Sequence, residues 1–331
     1  MTPADRRSLI FSTHPVHPAA AALMETAGTF VVASAPTADA FLAEGLDADI
    51  LIVRAPIPPE FFARAPRLRA AIRHGAGLDM IPVEAATASG VLVANVPAVN
   101  AQTVAEYAIF AALALLRRFR RVDRDLRGTG WAAGRAHADE ARELSGLRMG
   151  IVGMGNVGRA IHRIAHFGFS MAVSATTRTP ASLPEGVTAL DLDTLMAESD
   201  VVVLCCPLTP ETTGLINRER IGLMKRDALL INVSRGPVVD QQALVAALRE
   251  RRIGGAALDV FESQPLDPAD PLFGLDNVLL TPHLAGITQE SMRRMGEGAA
   301  RETQRVLAGD VPLNFRNPDV LEAYRRRFPK P

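Results

Sequence analysis

Three short stretches carry residue types able to do chemistry. The first, Gly150 to Gly158, reads Gly-Ile-Val-Gly-Met-Gly-Asn-Val-Gly, so that Gly153, Gly155 and Gly158 spell G-x-G-x-x-G. In a chain with 25 glycines that hexapeptide alone reads equally well as a generic tight turn. Its setting decides the matter: apolar Met149, Ile151 and Val152 precede it, and Val157, Ile161, Ile164 and Ala165 follow at helical spacing. A strand, a tight turn and a helix N-terminus in that order make an anion site. Gly153 permits the turn, Gly155 lets a pyrophosphate approach the backbone, and Gly158 lets the helix pack closely on the strand. The stretch is therefore read as a dinucleotide site. The second candidate, Arg235, follows the apolar run Ala228 to Val233 and precedes Gly236. Its planar five-donor fork suits a carboxylate, a paired geometry that lysine would lose. The third, His283, follows Val278 to Thr281 and carries an imidazole suited to proton transfer near neutrality. By themselves, an arginine in such a place is as readily a surface ion pair, and a histidine a structural residue.

The elements that must position these residues alternate along the chain. Ser8–Ser12, Thr29–Ala33, Asp49–Arg54, Leu68–Arg73 and Val91–Val96 read as strands, separated by helices at Pro18–Ala27, Ala38–Glu44, Pro59–Arg64 and Pro82–Ser89. Such alternation implies a parallel sheet with helices on both faces. Ala101 to Arg121 reads as one long helix, with Val104, Ala108, Ala111, Leu115 and Phe119 on one face, and bridges out of the first domain. Its end is basic, with Arg117, Arg118, Arg120, Arg121, Arg124 and Arg127, read as cations on a solvated helix C-terminus. A glycine-rich loop, Gly128 to Gly134, then surrounds the sole tryptophan, Trp131. After the glycine turn, strands are expected at Met171–Ala175, Val201–Cys206, Ala228–Val233, Ala256–Val260 and Val278–Thr281. Helices fit at Leu192–Glu198, Glu219–Lys225 and Asp240–Arg251, the last begun by Asp240 as N-cap. Gln289 to Leu307 is helical, and an arginine-rich tail follows it.

Composition narrows the partners. Thirty-six basic residues balance thirty-six acidic ones, so no global field favours nucleic acid or a membrane surface. Adjacent Cys205 and Cys206, the only cysteines, fall in an apolar run where they act as small hydrophobes, which suits a reducing cytoplasm. Asp5, Arg6 and Arg7 precede only a short apolar patch, unlike a signal peptide. The longest apolar run, Ala108 to Leu116, is too short for a bilayer span. No metal site is expected.

Several segments now coincide: Gly153 to Gly158, Pro207-Leu208-Thr209-Pro210-Glu211-Thr212, Asn232-Val233-Ser234-Arg235-Gly236, Leu258-Asp259-Val260-Phe261-Glu262 and Thr281-Pro282-His283. In this order they resemble the D-2-hydroxyacid dehydrogenase family, relatives of phosphoglycerate dehydrogenase and glyoxylate/hydroxypyruvate reductase, over nearly the whole chain. The resemblance implies an α/β architecture of two doubly wound parallel-sheet domains, a Rossmann cofactor domain (residues 101–287) inserted into a flavodoxin-like substrate domain (1–100 and 288–331), with the active site in the cleft. It implies reduction of a small 2-oxo acid to the D-2-hydroxy acid. Arg235 then binds the substrate's carboxylate and carbonyl, and His283 donates the proton. Gly153, Gly155, Asn156, Val157, Gly158, Pro207, Thr212 and Val233 line the dinucleotide, and Asp259 accepts from the nicotinamide amide. His74-Gly75-Ala76-Gly77-Leu78-Asp79 is similar to the family's glycine loop, whose N–H groups at Ala76 and Gly77 bind the substrate carboxylate. Arg54, ending its strand, is placed like an arginine that meets the substrate's distal group in some relatives; a salt-bridged surface arginine is the competing reading. A homodimer through the long helix and the Trp131 arm is implied as well.

Two positions depart from the family pattern. Gln264 stands where relatives usually carry the glutamate that pairs with the histidine. An amide still orients the ring by accepting its N–H but supplies no charge to an imidazolium, which moves the expected optimum of ketone reduction to the acid side. Relatives acting on formate also carry glutamine here and need no proton relay, so a formate-type dehydrogenase is one alternative; a non-catalytic nucleotide-sensing protein is another. The second departure concerns the adenine ribose, whose acidic partner is expected about 20 residues past the turn. That position falls on Ala175, followed by Thr176, Thr177 and Arg178. Without a carboxylate, and with two hydroxyls and a guanidinium for a 2′-phosphate, the chain is expected to prefer NADP(H), with NAD(H) possible.

Overall fold

A computed structural model describes residues 6–329. The charged N-terminal segment is therefore described from Arg6 onward, and Asp5 and the last two residues of the tail lie outside the described residues. The chain divides into two compact units, one running to Asn100 and resuming at Ile287, the other spanning Ala101–Gly286.

The first unit contains β1 (Leu9–Ser12), β2 (Thr29–Val32), β3 (Ile50–Val53), β4 (Ala70–Arg73) and β5 (Leu92–Ala94). They form a parallel sheet in the order β2-β1-β3-β4-β5, the flavodoxin-like arrangement. β3 is buried along its whole length, as a central strand covered on both faces must be. The helices Pro18–Ala27 and Gln289–Leu307 pack on one face, where Met24, Ala299 and Val306 join Ile10, Ile50 and Ile72. Phe11, Phe41, Phe61 and Phe62 fill the other. The C-terminal segment returns to this unit through Asn317, which accepts from Val93 N at 2.8 Å and donates to Val91 O at 3.0 Å. The expected arginine-rich tail is in fact a helix, Leu321–Arg327, anchored by buried Tyr324. Leu321 and Phe328 pack beside it, but three apolar residues among charges make too short a stripe to stand out in the sequence.

The second unit contains β6 (Arg148–Val152), β7 (Ala172–Thr176), β8 (Val187–Ala189), β9 (Val201–Leu204), β10 (Leu229–Asn232), β11 (Gly255–Leu258) and β12 (Val278–Leu280). Its parallel order is β12-β11-β10-β9-β6-β7-β8. Counted within the unit that is the Rossmann order 3-2-1-4-5-6 with one strand added, so the order reverses between β6 and β9. The expected architecture of two doubly wound parallel sheets is borne out. Strand β8 was not anticipated; three residues at a sheet edge are too few to show a pattern.

The expected single helix over Ala101–Arg121 is two. The first runs Ala101–Leu116 and is buried through Ala101, Val104, Ala105, Ala108, Ala111 and Ala112. The chain then breaks at Arg118, which adopts a left-handed φ of 53°, and a second helix spans Phe119–Gly128 with no buried residue. Phe119, expected on the buried face, is 59 % exposed. The apolar face ends at Leu116, and arginines beyond it cannot stay against a packed sheet, so the chain turns outward. No glycine or proline marks the break, which is why the pattern ran through it. Likewise the expected loop around Trp131 is a short helix, Trp131–Arg135, entered from Gly130 at φ 107°. The strand expected to include Cys205 and Cys206 stops at Leu204; the two thiols follow it, at the carboxyl edge of the sheet.

Candidate active site

Candidate residues of the second unit follow strands of one parallel sheet, at its carboxyl edge: Gly153 after β6, Thr177 after β7, Arg235 after β10, Asp259 after β11 and His283 after β12, with Cys206 after β9. Doubly wound sheets bind ligands at that edge, beside the reversal of strand order. The reversal lies between Gly153 and Cys206. Gly153 has φ 99°, and a Cβ there would stand 2.8 Å from Cys206 N, so both backbone conformation and contact require glycine. A Cβ on Gly158 would meet Gly153 O at 2.3 Å, which is how closely the helix Asn156–Arg163 approaches the turn. Gly155, the N-cap, is different: a Cβ there would meet nothing within 4 Å. The open space lies at the start of a helix whose first N–H groups, at Asn156, Val157 and Gly158, have no intrahelical acceptor and face it with the positive end of the helix dipole. A pyrophosphate fits this cradle. Cys205 lies against it and donates its thiol to Gly153 O at 2.9 Å.

At the adenine end, the structure corrects one position. Ala175 is buried in the core and does not end its strand; Thr176 does, opposite Val152. The inward-facing alternation of β7 assigns Ala175 to packing. Thr176 Oγ1 donates to Leu190 O at 2.8 Å, and Thr177 Oγ1 accepts from Thr179 N at 3.4 Å. Arg178 is exposed, and its charge helps lower the Glu211 carboxyl, after larger contributions from hydrogen bonds at Thr209 and at its own backbone. No carboxylate stands from residue 175 to 179. Thr212 holds its own loop: its hydroxyl donates to Pro207 O at 2.7 Å and accepts from Thr209 N at 2.7 Å.

Arg235 stands on a turn braced by the buried side chain of Asn232. Asn232 Oδ1 accepts from Ser234 N at 3.0 Å and Ser234 Oγ at 2.8 Å, while Nδ2 donates to Arg235 O at 3.0 Å. Gly236 allows the chain to pass Phe261, whose carbonyl carbon would lie 1.9 Å from a Cβ. Arg235 Nη1 donates to Ser234 O at 2.7 Å.

His283 adopts φ 55°, a conformation few non-glycine residues take, and its N–H donates to Asp259 O at 2.8 Å. The loop is held by the buried Asp259 carboxylate: Oδ1 accepts from Thr281 Oγ1 at 2.6 Å and Leu284 N at 2.8 Å, and Oδ2 from Ala285 N at 2.9 Å. Tyr107 backs this group, its hydroxyl 2.6 Å from Thr281 Oγ1. The ring Nδ1 lies 3.2 Å from Gln264 Oε1. A carbonyl oxygen only accepts, so in this contact Nδ1 carries the proton. Thr281 and Asn232 lie inside motifs visible in the sequence; Tyr107, 174 residues from its partner, left no signal.

The first unit holds its own candidates. In the glycine loop, Asn95 Nδ2 donates to Ala76 O at 2.5 Å and Arg73 Nε to Gly77 O at 3.1 Å. In a trans peptide the N–H points opposite the carbonyl, so fixing Ala76 O turns Gly77 N–H away from the fold. Among the described residues no acceptor is bonded to the N–H of Ala76 or Gly77. Among the described residues Arg54 has no carboxylate partner, unlike the salt-bridged arginine of the competing reading: Nη1 donates to Pro15 O and Nη2 to Met292 Sδ at 3.7 Å, and burial lowers its pKa.

Residues 109–285 match the family described as D-isomer specific 2-hydroxyacid dehydrogenase, NAD binding domain. The chain is 40 % identical over 280 residues to a glyoxylate reductase of Korarchaeum cryptofilum, covering 83 % of this chain and 84 % of that one. Among solved structures, a protein of Thermus thermophilus superposes with a TM-score of 0.85 at 35 % identity, covering 93 % and 99 % of the two chains. The NADPH-dependent glyoxylate/hydroxypyruvate reductase of Sinorhizobium meliloti, solved with citrate, gives 0.83 at 27 % identity over 94 % and 99 %. Fold and comparisons define an NAD(P)-dependent oxidoreductase. The chain belongs to the D-isomer-specific 2-hydroxyacid dehydrogenase family and reduces a small 2-oxo acid to its D-2-hydroxy acid with NAD(P)H. No helix among the described residues is long and apolar enough to cross a membrane.

Beside the glycine loop, His74 is buried, and its Nε2 has no hydrogen-bond partner among the described residues. Burial, then Arg54 and Arg73, push its pKa from 6.5 to about 3. The unfolded chain takes up a proton below pH 6.5 that the native ring refuses until about pH 3, so this contribution to stability is whole above 6.5 and disappears as pH falls through that window. His74→Gln should flatten the loss of stability across the same window in urea unfolding series; an unchanged slope would refute the assignment.

Proposed function

We propose that the enzyme is an NADPH-preferring cytoplasmic reductase of glyoxylate, hydroxypyruvate or a similarly small 2-oxo acid, with Arg235 and His283 as its catalytic residues and Gln264 positioning the histidine. Bound at the glycine turn, a reduced nicotinamide supplies the hydride. The guanidinium of Arg235 binds the substrate's carboxylate and carbonyl oxygen and stabilises the charge that grows on that oxygen. The proton on His283 Nε2 passes to the same oxygen, completing the hydroxyl, while Nδ1–H stays on Gln264 Oε1. The neutral ring then regains its proton from solvent, to which His283 is exposed. The N–H groups of Ala76 and Gly77 bind the carboxylate, and Arg54 serves as a specificity residue for the substrate's distal group. Gly153, Gly155, Asn156, Val157, Gly158, Pro207, Thr212 and Val233 hold the dinucleotide. Asp259 reaches the nicotinamide amide through the one remaining acceptor site on Oδ2, besides holding the His283 loop.

The observation that carries this reading is the 3.2 Å approach of Gln264 Oε1 to His283 Nδ1, which supports Nε2 as the proton-exchanging atom. Because the amide offers no negative charge to the imidazolium, Gln264→Glu should move the alkaline limb of 2-oxo acid reduction upward by about one pH unit. A profile that stays in place would remove His283 as the donor.

The preference for NADPH rests on Thr176, Thr177 and Arg178 in a stretch without carboxylates. The Sinorhizobium relative, an NADPH-dependent reductase, agrees with it. Arg178→Ala is expected to raise KM for NADPH about tenfold while leaving KM for NADH near its starting value. Equal effects on both would show that Arg178 does not meet the 2′-phosphate.

A homodimer is supported by large apolar side chains that the second unit leaves in solvent between residues 110 and 131: Phe110 is 58 % exposed, Phe119 59 % and Trp131 78 %. Light scattering of Trp131→Ala combined with Phe119→Ser should show a fall from dimer to monomer mass; a parent protein that already runs as a monomer contradicts the reading.

A further inference from the structure

The second unit has a cavity of about 470 Å3 that the reaction does not use. It opens at the amino edge of the sheet, opposite the dinucleotide turn, where Leu229 begins β10, Gly254 precedes β11 and Val278 begins β12. Its wall is the C-terminal end of the helix Ala101–Leu116. At and just beyond the break, Arg118, Arg120 and Arg121 line this space, joined by Arg142, Arg226 and Arg251 from distant parts of the chain. Three carboxylates, Glu140, Asp227 and Asp276, stand among these six arginines, a formal excess of three positive charges.

The pairing leaves donors unfilled. Asp276 is shared, 2.8 Å from Arg121 Nη2 and 2.5 Å from Arg251 Nη2, and Glu140 pairs with Arg118. Arg120 Nη1 donates to Val278 O at 2.9 Å and Leu275 O at 3.2 Å. The guanidinium groups of Arg142 and Arg226 have no hydrogen-bond or ion-pair partner among the described residues, although the charge of Arg142 helps to lower the Asp200 carboxyl. Buried Asn277 also lines the cavity, and its Oδ1 has no hydrogen-bond partner among the described residues. Like charges gathered in a concave, partly desolvated space repel one another unless an anion joins them, and arginine forks match phosphate and carboxylate oxygens.

We propose that this cavity is a binding site for a small multivalent oxyanion, a phosphate ester or a hydroxylated polycarboxylate, held by Arg142 and Arg226 together with the arginines of the helix break. The site is separate from the dinucleotide turn. It adjoins the reaction through β12, whose first residue lines the cavity and whose last precedes Thr281 and His283.

Calorimetric titration of the cofactor-saturated enzyme at low ionic strength tests it, with pyrophosphate and citrate as the two probes. One of them should bind at one site per chain with a Kd below about 1 mM, and which one binds tighter identifies the source of the oxyanion. Arg142→Gln with Arg226→Gln should weaken that binding about tenfold or more, without changing KM for the cofactor. Arg226→Gln alone, at an exposed residue, gives the same direction with less risk to folding. No heat from either probe up to about 10 mM overturns the proposal, as does undiminished binding to the variants or binding that competes with the cofactor.

Discussion

One buried carboxylate sets the geometry on which the chemistry depends. Asp259 sits at the end of β11 with almost no exposure, a costly place for a charge unless its lone pairs are filled. Three of its four acceptor sites are taken by Thr281 Oγ1 and the backbone N–H groups of Leu284 and Ala285, while its own carbonyl takes the N–H of His283. The loop that carries the histidine is thereby wrapped around a single side chain, and those bonds offset the left-handed backbone of His283. Tyr107 extends the network into the helix Ala101–Leu116.

The same arrangement recurs at the other turns. Asn232 holds the backbone of Ser234 and Arg235, and Asn95 with Arg73 holds the carbonyls of the first unit's glycine loop. Each support is a polar side chain that satisfies backbone groups where a strand has ended and no ladder remains to do so. Preorganised donors of this kind need no reorganisation when substrate charge develops.

Legibility in the sequence followed the range of the interaction. Strand and helix order, the glycine turn and the N-cap at Asp240 were readable because they depend on neighbours within a few residues. The break at Arg118, the short helix at Trp131 and the burial of Ala175 were not, since each depends on which face of an element meets a sheet assembled from remote segments. For Ala175, counting along the chain points to the ribose, but strand alternation turns it inward and passes the edge to Thr176. The conclusion about a missing carboxylate survives because the whole stretch from 175 to 179 lacks one.

By itself, the sequence determined the two parallel α/β sheets, the dinucleotide turn and the residue types offered for anion binding and proton transfer. Those features are encoded locally, in periodicity, in glycines where no Cβ fits, and in motifs whose members are close in the chain. Tertiary structure alone decided that Gln264 Oε1 meets Nδ1 of His283, because Gln264 reaches the ring from another loop. It also decided that three arginines of an apparently solvated run face a cavity with three more from elsewhere. Both results depend on side chains brought together across long stretches of chain, where packing sets the distance and no local pattern records it.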